Sequence, residues 1–117
     1  MPNIQNIQLN KVLNNVVQDQ IFQPDGVTPQ DVTGWSLECV FHQVGNESNV
    51  LLTKTTANGG IVFVTPTSGL IQILVNPSDM TGWLISPNGT LGYFVQRTDT
   101  GLAARPTAGL VTVYGPP

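Results

Sequence analysis

His42 and Cys39 have the most versatile side-chain chemistry in this 117-residue chain, which holds one of each. A catalytic histidine needs a nucleophile or carboxylate held close by. The run Cys39-Val40-Phe41-His42-Gln43 offers no motif that supplies one. A reactive cysteine needs exposure and a basic neighbour, and a buried one behaves as a small hydrophobe. Zinc sites draw on several Cys or His ligands, and this chain has two such residues in all. Among the carboxylates, Glu38 lies in the clearest strand, while Asp31, Glu47, Asp79 and Asp99 fall in turns. A glycosidase-type pair requires two carboxylates facing each other, and a calcium site requires several oxygens together. Thr98-Asp99-Thr100-Gly101 offers one carboxylate in an ordinary turn composition. Gly59-Gly60 lacks the lysine and the following helix of a phosphate loop. The sequence therefore assigns no catalytic residue, no cofactor and no metal.

Binding chemistry is the next candidate. A carbohydrate-binding sandwich displays two or three aromatics on one exposed face. Trp35, Phe41 and Tyr93 are expected inward, which leaves Trp83 as the candidate platform. With the loops around Asn46 and Asn88, Trp83 defines an alternative reading as a glycan- or receptor-binding module. Asn46-Glu47-Ser48 and Asn88-Gly89-Thr90 match the N-glycosylation triplet, but no secretory signal accompanies them and they read as loops.

The elements that must position these residues are strands. Trp35, Leu37, Cys39 and Phe41 alternate with Ser36, Glu38, Val40 and His42, so the first set faces the core and His42 faces away. Strand signals recur from Ile7, from Val16 to Gln23, and over 50–56, 61–64, 70–75, 90–97 and 110–114. Pro24-Asp25-Gly26, Gly45 to Asn49, Asn58-Gly59-Gly60 and Thr65 to Gly69 read as turns or loops. Asn76 to Trp83 reads as a crossover with one helical turn, begun by Pro77. Seven or eight short strands without a long amphipathic helix predict an all-β antiparallel sandwich, with a small closed barrel as the alternative.

Composition narrows the function. Four Lys+Arg against seven Asp+Glu give a net charge of -3, and charged residues make up 9% of the chain. Four dispersed cations cannot form a nucleic-acid surface. No apolar run approaches the ~20 residues of a bilayer span. In place of charge stand 19 Asn and Gln and 13 Thr. Surfaces so poor in charge tend to associate, which suits a protein held in an assembly.

Two segments carry that expectation. Residues 1–10 read as an N-terminal arm ahead of a single domain over 11–117, with Ile4, Ile7 and Leu9 as apolar contacts for a neighbouring subunit. From Thr55 to Ser78 there is no charged residue. Strands in soluble proteins are usually guarded by charge, so this hairpin is covered either within the domain or by a neighbour.

The order of turns and strands resembles the immunoglobulin-like domains of bacteriophage baseplate upper proteins and related tail, neck and capsid accessory proteins. The resemblance rests on Asp25-Gly26, Asp31-Val32-Thr33-Gly34, Thr56 to Ile61, Gly69-Leu70-Ile71, Gly92 to Val95, Arg97 to Gly101 and Gly109 to Val113. These pieces span roughly three quarters of the chain and are individually generic. The chain departs from the pattern in stopping after one domain and in its longer Asn/Gln-rich N-terminus. The resemblance implies an immunoglobulin-like sandwich acting without catalysis in a virion. The role would be that of an adaptor or cement between subunits, in a tail, neck, fibre-docking or capsid position. Its partners would be other virion proteins and copies of itself in a homo-oligomer, with no nucleic acid or membrane.

Overall fold

Leu37, Cys39 and Phe41 are buried on one side of their strand, and this two-residue alternation recurs through the chain. The computed structural model describes residues 3–23, 25–80, 90–99 and 107–114. Its strands are β1 (Asn3–Ile4), β2 (Ile7–Asn10), β3 (Asn15–Gln20), β4 (Leu37–Gln43), β5 (Asn46–Thr55), β6 (Ile61–Thr65), β7 (Leu70–Val75), β8 (Thr90–Arg97) and β9 (Thr107–Tyr114). Single 3-10 turns span Pro66–Ser68 and Pro77–Met80, the second where the crossover was expected to begin.

The fold is an all-β sandwich. The larger sheet has the order β1-β9-β8-β4-β5, with β2 also paired to β9, and the smaller is β3-β7-β6. Inward residues of both sheets form one core, with Leu9, Ile21, Leu37, Phe41, Ile71, Ile73, Tyr93 and Val111 among its most buried members. The Phe41 and Tyr93 rings stack across β4 and β8 at 6.1 Å between centroids. Trp35 packs at the core's margin, with the Arg97 guanidinium 4.1 Å above its ring.

Two expectations are corrected. β1 and β2 run parallel to β9, so the larger sheet is mixed. The segment 45–49 is not a loop, because Val44 and Gly45 make a tight hairpin and β5 starts at Asn46. Gly45 has φ 79°, the left-handed conformation such a two-residue turn demands. The described part of the segment 1–10 lies along β9 of the same chain. Ile4 pairs with Ala108, and Ile7 to Asn10 pair with Val111 to Tyr114.

Candidate functional site

The N-terminal segment is fixed by side chains the sequence reading passed over. The Tyr93 hydroxyl donates to the Gln5 carbonyl at 2.6 Å, and Leu110 N–H donates to Asn6 Oδ1 at 3.0 Å. Gln5 N–H bonds the Ala108 carbonyl at 3.0 Å, so the kink between β1 and β2 stays attached to β9. The approach is close at Gly109, where an added Cβ would lie 2.1 Å from the Gln5 carbonyl oxygen. At the far end Asn15 closes the turn into β3. Its Nδ2 donates to the carbonyls of Asn10 and Leu13, and its Oδ1 accepts from Asn10 N–H. Asparagine thus supplies turn chemistry here, in accord with its ability to mimic a backbone turn.

Of the residues expected to contact a neighbour, Ile7 and Leu9 are buried in this chain's own core. Their apolar side chains fill the inward positions of β2, so they are core residues here. Ile4 is 68% exposed on the outer face of the larger sheet. Trp83 lies outside the described residues, as do Asn88 and Gly89.

The residues with reactive chemistry are dispersed. Cys39 is buried, and burial drives its thiol pKa well above the ordinary range. His42 lies on the side of β4 opposite Phe41 and outside the core cluster, as the alternation requires. It is nevertheless buried, with its ring over Gly92 and 5.7 Å from the Phe94 ring, and Nδ1 is 2.9 Å from the Gln43 carbonyl. Glu38 accepts from Gln96 Nε2, and Asp99 pairs with the Arg97 guanidinium at 2.7 Å. No three His, Cys, Asp or Glu residues converge on a metal geometry among the described residues.

One carboxylate escaped the sequence reading. Asp19 sits on the inward side of β3 between Val17 and Ile21, 3% exposed, and neither of its oxygens has a hydrogen bond of ordinary geometry. Burial pushes its carboxyl up to about 6, opposed by the smaller effects of the Thr107 hydroxyl and the Gln20 N–H. The alternation Val17, Asp19, Ile21 was the available signal.

The uncharged segment resolves into a surface. β7 is the middle strand of the smaller sheet and β6 is its edge. Val16 lies beside Leu74, Gln18 beside Gln72 and then Val62, and Gln20 beside Leu70. All seven alternate with inward residues, so together they form the sheet's outer face, which carries no charge. Val62 is 42% exposed and Val64 50%. The expected cover from within the domain holds for the inward residues of β7, while no strand among the described residues covers the partly exposed outer face or pairs with the β6 edge.

The four sheet edges differ in how they are protected. On one side of the sandwich Gln5 Nε2 reaches from the N-terminal segment to the Gln18 carbonyl on β3 at 2.8 Å, bridging the two sheets. On the other, β5 carries Glu47 and Lys54, and its pairing with β4 shifts register twice. Charges and irregularities of this kind blunt an edge. β6 has no charge, and its one irregularity is a bulge between Phe63 and Thr65.

No family model matches the sequence, and no curated protein matches it. A solved structure does. The chain is similar in fold to the N-terminal domain of phage TP901-1 ORF48, with a TM-score of 0.53 and 9% sequence identity. The likeness covers 97% of this chain and 86% of that one. At this identity it establishes a shared fold over nearly the whole chain.

Proposed function

We propose that the chain is a non-enzymatic structural protein of a bacteriophage virion, serving as an adaptor or cement between virion subunits. The observation that carries this reading is the charge-free outer face of the β3-β7-β6 sheet, which continues into an unguarded edge at β6. A free protein would normally interrupt such a surface with lysine or glutamate. Two further lines support it. The fold is that of a phage protein's N-terminal domain, and the sequence resembles the sandwich domains of baseplate upper proteins in the order of its turns. The contacts would be made by the amides of Gln18 and Gln72 and by the aliphatic side chains flanking them.

The experiment is quantitative mass spectrometry of purified particles of the phage that encodes the chain. The reading expects the chain at a fixed copy number relative to the major virion proteins. It also expects the face variant Gln72→Lys to be depleted from particles while remaining folded. Absence of the wild-type chain from particles would overturn the reading.

A further inference from the structure

We infer that the partner at the β6 edge is a second copy of this chain, joined by antiparallel β6–β6 pairing about a two-fold axis at Val62. The inference rests on the structural reading above and names one contact that such a protein would make.

The pairing within the smaller sheet decides which groups are available. Leu74 N–H donates to the Gly60 carbonyl at 2.9 Å, and Ile61 is opposite Ile73. In an antiparallel ladder, bonded and non-bonded pairs alternate, so Val62 bonds to β7 at Gln72 while the main-chain groups of Ile61 and Phe63 point outward. The bulge between Phe63 and Thr65 ends the regular run, and Pro66 follows it. Two outward-facing residues on each strand thus remain to be paired.

One two-fold register engages both of them within the regular run. It sets Ile61 of each copy against Phe63 of the other, which makes four main-chain hydrogen bonds. Val62 then meets its own symmetry mate as a non-bonded pair, where side chains approach most closely. Ile61 and Phe63 both point inward, so the cores of the two sandwiches continue across the junction. Val62 points outward in both copies and adds an apolar contact to the joined faces. Other registers pair Ile61 with itself, placing Phe63 against the turn glycine Gly59, or reach past the bulge to Thr65.

Charge favours a like partner. No charged residue occurs from Thr55 to Ser78, so two copies meeting here bring no like charges together. Among the described residues the nearest cation, Lys54, is already paired with Asp79 at 2.7 Å. A charged partner would lose hydration against this edge and gain no counter-charge. The contact is isologous and closes on itself, so the edge ends in a dimer and not in a fibre.

The test is a cysteine scan of β6 in the full-length chain, with light scattering behind a sizing column. Cys39 is buried and does not compete. Val62→Cys should give a disulfide-linked dimer under mild oxidation, because the Cα atoms of a non-bonded antiparallel pair lie about 4.5 Å apart, within the span a disulfide bridges. Val64→Cys should stay monomeric on a denaturing gel, because in this register it is about 13 Å from its mate. Val62→Lys should keep its circular dichroism spectrum and halve the solution mass seen for the wild type at high concentration. A wild type that is monomeric at every concentration would overturn the inference, as would a dimer that Val62→Lys leaves intact. If Val62→Lys is monomeric yet still enters particles at full copy number, the dimer forms but the virion does not use it. If the wild type is absent from particles, the structural reading fails whatever the dimer does.

Discussion

The Tyr93 hydroxyl donates a 2.6 Å hydrogen bond to the Gln5 carbonyl across 88 residues of sequence, tying the buried face of β8 to the kink between β1 and β2. That bond turns an asparagine- and glutamine-rich N-terminus into part of the larger sheet. Tyr93→Phe keeps the ring and its stacking on Phe41 but strands the carbonyl. We expect a loss of about 1 kcal/mol, the usual size of such a bond. Hydrogen exchange should accelerate over residues 3–10 ahead of the remaining strands. Denaturant unfolding with exchange mass spectrometry checks both.

Gly109 sets the same junction by its lack of a side chain. A Cβ there would sit 2.1 Å from the Gln5 oxygen, which belongs to backbone and cannot rotate aside. Gly109→Ala should cost about 1–3 kcal/mol, typical of overpacking, and should detach β1 before the sandwich unfolds. Limited proteolysis near residues 1–10 should then be faster in the variant than in the wild type.

Parts of this arrangement are legible in the sequence. The strand over Leu70–Val75 follows its alternation residue for residue, and in Thr90–Arg97 the expected set Leu91, Tyr93 and Val95 enters the core, although Gly92 and Phe94 on the other side of β8 are buried as well. The hairpin at Val44–Gly45 is hidden because β5 begins with five exposed, mostly polar residues, which give no apolar alternation. The parallel pairing of β2 with β9 joins residues about a hundred positions apart, and no local pattern encodes a partner at that distance. Ile7 and Leu9 are apolar at period two, which fits a core strand as well as a docking arm. The register on β9 separates those readings. The uncharged run 55–78 is visible from composition, but the edge position of β6 comes only from the topology.

Asp19 makes stability depend on pH. Its carboxyl is raised from 3.8 to about 6 by burial, so the folded state holds its proton more tightly than the unfolded chain does. Stability from this group is therefore highest below pH 4 and is lost as the pH rises to about 6, after which it is level. The shift of about two pH units corresponds to ~3 kcal/mol. The exposed carboxylates Asp25 and Asp31, held low by hydrogen bonds from Thr28 and Thr33, act in the opposite sense at lower pH. Asp19→Asn should remove the decline between pH 4 and 6 and should be more stable than the wild type at pH 8. Urea unfolding at pH 4, 6 and 8 measures this.

Cys39 should be inert in the native protein. Its thiol is buried and shifted upward, chiefly by loss of hydration, so almost no thiolate exists at neutral pH. Iodoacetamide should leave it unmodified in buffer and label it fully in denaturant. Labelling of the native protein at a rate near that of free cysteine would contradict the placement of β4 in the core.

We propose that the charge-free face of the β3-β7-β6 sheet holds the chain in a virion. The most direct test is the copy number of the chain in purified particles, for the wild type and for Gln72→Lys. The wild type should keep a constant copy number, and the folded variant should be depleted at least tenfold. Wild-type occupancy by Gln72→Lys, or particles that lack the chain altogether, would contradict it.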